Sequence, residues 1–240
     1  MTRAVLLDFG GTLDSDGLHW STQFADAFAA AGLEVERSVL DRAFLAADRA
    51  LSGQPDIADL DLEAHVGRQA RLMLEQLGAF GDPGSAEAVR AAFISRTRTC
   101  LARARELLTR HQKRCRFGLV SNFTPNLHRI VRDAGLAELV PVVACSETEG
   151  VGKPDPRLFE LALSRLGVPP GRAAMIGDSL ASDIAPAKGL GLRTCWIRGD
   201  RVFVPADEGA ADHQVGSLAG AFEALQEEGF FDEGRDHRRG

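Results

Sequence analysis

The fold class this sequence predicts is a doubly wound, parallel-sheet α/β core of Rossmann-like type with an inserted α-helical cap domain, and three observations predict it. Residues 4–7, Ala-Val-Leu-Leu, form an apolar run that stops at Asp8 and is followed by Gly10, Gly11 and Thr12. Such a run reads as a short parallel strand buried on both faces. Nearly one hundred residues then pass with helical periodicity and no convincing strand. From Arg116 onward, short apolar runs alternate with helical segments, which is the pattern of a parallel sheet covered on both faces.

In chain order, the polar stretch Asp14-Ser15-Asp16-Gly17 leads into a helix from Ser21, with Phe24, Ala27, Phe28 and Ala31 on one face. Further helices are expected over residues 37–51, 62–77 and 86–111, with a break at Gly81-Asp82-Pro83-Gly84. Strands are expected over 117–120, 140–144, 173–176, 194–197 and 213–215. Helices separate or follow them, starting at Pro125, at Pro156, near Ile184 and near Ala219. Thr124-Pro125 and Asp155-Pro156 each pair an N-cap residue with a proline suited to the first helical turn. The expected division is a core of residues 1–14 and 85–231, a cap of residues 15–84 and a frayed tail over 232–240.

The chain of 240 residues, 45% hydrophobic, can bury a core of this size. A formal charge of −6 argues against nucleic acid as a partner. The cysteines Cys100, Cys115, Cys145 and Cys195 form no CxxC pair, so neither a zinc site nor a redox motif is indicated. With no apolar leader or membrane-length segment, a cytoplasmic monomer or homodimer without membrane contact is expected.

Parallel sheets bind ligands outside the carboxyl ends of their strands. Asp8 follows the first strand, Ser121-Asn122 the second, Gly152-Lys153-Pro154 the third, and Gly177-Asp178-Ser179 with Asp183 the fourth. A carboxylate nucleophile, a hydroxyl, an ammonium and further carboxylates suit phosphoryl transfer. Hard oxygen ligands in small number point to Mg²⁺.

On these motifs the chain resembles the haloacid dehalogenase superfamily of hydrolases, phosphatase-like members with a helical cap, over almost its whole length. The resemblance implies hydrolysis of a small phosphorylated metabolite through an aspartyl-phosphate. It makes Asp8 the nucleophile, with Thr12, Ser121 and Lys153 as the other catalytic residues and Ser121 and Lys153 holding the phosphoryl oxygens. The same resemblance implies that Asp8, the Gly10 carbonyl, Asp178 and Asp183 form the Mg²⁺ site. Asn122, His19 and Trp20 are the further substrate-binding candidates, the last two standing where the chain enters the cap.

Gly10 is the departure. In most phosphatases of the superfamily this position is the Asp that protonates the leaving oxygen, and Asp14, Asp16 and His19 are the nearby groups that could replace it. Phosphonoacetaldehyde hydrolases also lack this Asp but use a cap lysine, and residues 15–84 contain none. The 2-haloacid dehalogenases lack it too and use no metal. They usually carry a tyrosine where this chain has Phe159, and Asp178 favours a metal. A dehalogenase-like hydrolase and a catalytically weak ligand-binding member are the alternatives to a phosphatase.

Overall fold

The computed structural model describes residues 2–78, 83–199 and 209–232. Six parallel strands form one sheet: β1 (Ala4–Leu7), β2 (Arg116–Ser121), β3 (Val142–Cys145), β4 (Ala173–Gly177), β5 (Arg193–Ile197) and β6 (His213–Val215). Their order is β3-β2-β1-β4-β5-β6. The chain runs outward from β1 to one edge, returns to β4 beside β1, and runs out to the other edge. Asp8 therefore leaves the sheet at its topological switch point, where crevices open in such folds.

Successive side chains of β1 serve opposite faces. Ala4 and Leu6 join Leu158, Phe159, Ala162 and Met175 in one buried cluster. Val5 and Leu7 join Phe117, Leu119 and Phe222 in the other. All four are fully buried, as a central strand with two covered faces requires.

Four helices, α1 (Trp20–Ala30), α2 (Arg37–Ser52), α3 (Leu62–Gln76) and α4 (Pro83–His111), lie between β1 and β2. The helix α4 serves two regions. Its first half brings Phe93 to ring-centroid distances of 4.6 Å from Phe24 and 5.1 Å from Trp20. Its second half places Leu101, Ala104 and Leu108 in the same cluster as Phe117 and Phe222. The expected division between residues 84 and 85 falls in the first turn of this helix. Residues 79–82, including Gly81 and Asp82 of the expected break, and the tail from 233 lie outside the described residues, while Pro83 and Gly84 of that break instead open α4.

Helices α5 (Leu127–Asp133), α6 (Ser146–Glu149), α7 (Pro156–Leu166), α8 (Ala185–Gly189) and α9 (Leu218–Glu227) complete the core. Two expected boundaries are corrected. The helix expected from Pro125 starts at Leu127, because the Thr124 hydroxyl bonds Asn126 Oδ1 at 2.7 Å instead of capping a backbone N–H. The strand expected over 140–144 spans Val142–Cys145, since Pro141 has no N–H to give the ladder. Asp155 caps α7 as expected, accepting from Arg157 N at 2.9 Å. Among the described residues no helix is long and apolar enough to cross a membrane.

Candidate active site

At the ends of β1, β2 and β4 the structure gathers Asp8, Ser121, Lys153, Asp178 and Asp183 into a cleft of about 300 Å³, which Gly10, His19 and Asn122 also line. Ser121 Oγ donates to Asp8 Oδ1 at 2.8 Å, and Lys153 Nζ donates to the same oxygen at 2.6 Å. Lys153 Nζ also donates to Asp183 Oδ1 at 2.6 Å. Carboxylate oxygens of Asp8, Asp178 and Asp183 lie within 4.8 Å of one another.

All three carboxylates are nearly or fully buried. Against them stands one ammonium, so the ionised cluster holds two uncompensated negative charges, a costly state away from water. Burial, with the Asp8 charge adding to it, pushes the Asp183 carboxyl up to about 6 against the pull of Lys153. Burial works against the Lys153 ammonium too, but the Asp183 and Asp8 charges outweigh it and hold its pKa above the ordinary lysine value. An oxygen-only donor set with surplus negative charge fits a hard divalent cation.

Two glycines let the carboxylates come this close. A Cβ on Gly11, whose φ is +89°, would stand 2.5 Å from an Asp178 carboxylate oxygen, and one on Gly177 would stand 2.4 Å from Asp183 Oδ2. The neighbouring backbone is pinned as well. Trp196 Nε1 donates to the Asp178 carbonyl at 2.9 Å, and Ser179 N donates to Asp183 Oδ2 at 3.0 Å.

Asn122 has a role that the sequence did not disclose. Its Nδ2 donates to the Lys153 carbonyl at 2.8 Å and its Oδ1 accepts from Lys153 N at 2.7 Å. Both amide atoms thus hold the lysine loop against the end of β2. Thr12 is placed differently from the other expected catalytic residues. It is fully buried with no partner for its hydroxyl, and it lines a separate cavity with Cys100, Arg103 and Leu218.

The three groups considered as substitutes for an acid at position 10 separate in space. Asp14 is sealed: Oδ1 accepts from Gly11 N at 3.0 Å, Oδ2 accepts from Trp20 Nε1, and burial pushes the carboxyl up to about 7. Asp16 Oδ1 accepts from Leu218 N at the start of α9. His19 is exposed and lines the cleft.

His19 and Trp20 also line an adjoining cavity of about 400 Å³, together with Gly10, Phe44, Asp48, His65, Asn122, Phe123 and Glu147. Trp20 anchors an aromatic cluster there, 5.4 Å from Phe123 and 5.6 Å from His65 between ring centroids. Burial holds the His65 imidazole at about 4, well below its ordinary 6.5. The unfolded chain therefore takes up a proton near 6.5 while the folded chain resists until about 4. Stability is complete above this window and is lost as pH falls through it. Denaturant unfolding at about pH 7 and about pH 4 is expected to show His65 contributing a loss of about 3 kcal/mol, absent in His65→Phe.

A parallel α/β sheet with carboxylates, a hydroxyl and an ammonium converging on one strand end defines a hydrolase or transferase that works at an electrophilic centre. The haloacid dehalogenase-like hydrolase family model matches residues 2–191, and the chain belongs to that family. Phosphoserine phosphatase of Thermus thermophilus is 37% identical over 160 residues, 65% of this chain and 63% of that protein, so the match spans somewhat under two thirds of that relative's length. Haloacid dehalogenase-like hydrolase domain-containing protein 3 of Bos taurus is 31% identical over 85% of each chain. Among solved structures, the HAD-hydrolase YfnB of Bacillus subtilis, bound to magnesium, superposes with a TM-score of 0.57 at 19% identity, covering 93% of this chain and 98% of that one. That likeness concerns the fold.

Proposed function

We propose that the protein is a Mg²⁺-dependent phosphomonoesterase that hydrolyses a small phosphorylated metabolite through a phosphoryl group carried on Asp8. The observation that carries this reading is the Asp8 carboxylate, with Oδ1 held by both Ser121 and Lys153 and two further carboxylates beside it. Phosphatase names among the relatives support it.

Because Oδ1 is held, Asp8 Oδ2 is the oxygen that attacks phosphorus. The Oδ2–P bond forms as the bond from phosphorus to the leaving oxygen breaks. Water then attacks phosphorus, frees the Asp8 carboxylate and releases inorganic phosphate. Ser121 and Lys153 hold the phosphoryl oxygens through both steps. Asp8, Asp178, Asp183 and the Gly10 carbonyl would hold Mg²⁺, which when bound supplies charge stabilisation to the phosphoryl group. The helices inserted between β1 and β2 serve as the cap that limits the access of water to the cleft.

Gly10 offers no side chain to protonate the leaving oxygen. With Asp14 sealed and Asp16 engaged at α9, His19 is the residue assigned to deliver that proton. A dehalogenase gains nothing from the geometry: Phe159 is fully buried in the core beside Leu6 and is not among the residues lining the cleft.

Phosphate release across esters of rising leaving-group pKa, with Mg²⁺ and with chelator, tests this reading. Release that chelator abolishes, and a pKa dependence that steepens in His19→Gln, are the expected results. Release indifferent to chelator would overturn the metal, and an unchanged slope in His19→Gln would overturn the assigned proton donor.

A further inference from the structure

The cavity beside the cleft has a chemistry of its own. Gly10, His19 and Asn122 line both spaces, so a substrate whose phosphate lies at Asp8 extends its organic part into the cavity. Trp20, Phe44 and Phe123 give it aromatic walls. Among the described residues no lysine or arginine lines it, although the charge of Arg49 reaches Asp48 and that of Arg68 reaches His65.

Two carboxylates do line it. Asp48 on α2 and Glu147 on α6 make no ion pair or side-chain hydrogen bond among the described residues. Several other cap carboxylates are paired: Asp41 with Arg37, Asp56 with Arg68, and Glu63 with Arg90. Asp48 and Glu147 thus bring unpaired negative charge to the cavity, where π faces also favour positive charge.

His65 supplies an independent observation. It is 2% exposed, and its ring lines the cavity. Asn126 Nδ2 faces both the Leu60 carbonyl and His65 Nδ1, each at 3.1 Å. A carbonyl only accepts, so the atom facing it is the amide nitrogen, and its second hydrogen goes to Nδ1. Nδ1 is then an unprotonated acceptor and the ring proton sits on Nε2. Among the described residues Nε2 has no partner, so a neutral N–H donor is left for a ligand oxygen.

Resting on the phosphomonoesterase reading, we infer that this cavity selects a phosphate ester whose organic part carries an ammonium group and a hydroxyl or carbonyl oxygen, as an aminated sugar or an amino alcohol does. The ammonium meets Asp48, Glu147 and the aromatic faces, and the oxygen accepts from His65 Nε2. An anionic organic part meets two unpaired carboxylates and no lysine or arginine, so it is disfavoured.

The test uses the phosphate esters at the primary alcohol of glucosamine, glucose and gluconate, which share a leaving-group type and differ in charge. The expected kcat/KM for the glucosamine ester exceeds that for the gluconate ester by at least about tenfold at low salt, and the ratio falls as salt is added. In the double variant Asp48→Asn with Glu147→Gln the ratio collapses towards one. Equal or better turnover of the gluconate ester, or a ratio that the double variant leaves intact, overturns the inference. His65→Leu is expected to raise KM for the glucosamine ester more than His65→Gln does; equal KM values overturn the role of His65.

Were none of the three esters hydrolysed, the phosphomonoesterase reading would fail, and calorimetric titration of the Asp8→Asn protein with the same esters would decide the inference separately. Tighter binding of the glucosamine ester than of the gluconate ester upholds it, and equal affinity overturns it.

Discussion

Asp8→Asn is expected to lower Mg²⁺-dependent phosphate release by at least about 10⁴-fold, the scale of losing a nucleophile that works as part of a unit. The loss is chemical and not a failure to fold. An amide at this position keeps an oxygen to accept from Ser121, whose hydroxyl lies 2.8 Å from Asp8 Oδ1. Replacing the carboxylate also removes one of the three buried negative charges that Lys153 alone offsets. Circular dichroism and thermal unfolding of the variant should therefore match or exceed the wild type while turnover disappears. Turnover retained above about one hundredth of the wild-type rate would remove Asp8 from the chemistry.

Gly10→Asp is expected to raise the hydrolysis of sugar phosphates by roughly 10²-fold or more, the lower end of what general acid catalysis supplies. The backbone permits the change: φ is −72° and ψ is 120° at Gly10, ordinary values for any residue. A Cβ there would lie 3.6 Å from Trp20 Cδ1 and Nε1, an ordinary contact. The carbonyl at position 10 is untouched, so its place in the proposed cation site is kept. The gain should be largest for leaving groups of high pKa and small for acyl or aryl phosphates, which depart without a proton. A plot of log kcat/KM against leaving-group pKa should flatten. An equal effect on all esters would mean that protonation of the leaving oxygen does not limit the reaction.

The core was legible because its signals are local. Four apolar residues ending at Asp8, and alternating strands and helices from Arg116 onward, specify a parallel sheet. The rule that such sheets bind ligands at their carboxyl ends then placed Asp8, Ser121, Lys153, Asp178 and Asp183 on one rim, where the structure brings them together. Asp155-Pro156 marked a helix start correctly, while Thr124-Pro125 marked one two residues early, because the Thr124 hydroxyl is drawn to Asn126.

The sequence by itself determined the sheet, the helical insertion and the residues at the strand ends, since hydrophobic periodicity and strand termini depend on near neighbours. Tertiary structure decided the rest. Asn122 grips the backbone of Lys153, 31 positions away, and Trp20 reaches back to seal Asp14. Thr12, next in sequence to the catalytic turn, faces a different cavity. The aromatic cavity is assembled from α1, α2, α3, α6 and the segments after β1 and β2. Asn126, 61 positions away, donates to His65 Nδ1 and so leaves the ring proton on Nε2. Such pairings depend on how the helical insertion docks across the sheet, and because docking joins segments distant in the chain, no local pattern of residue types encodes it.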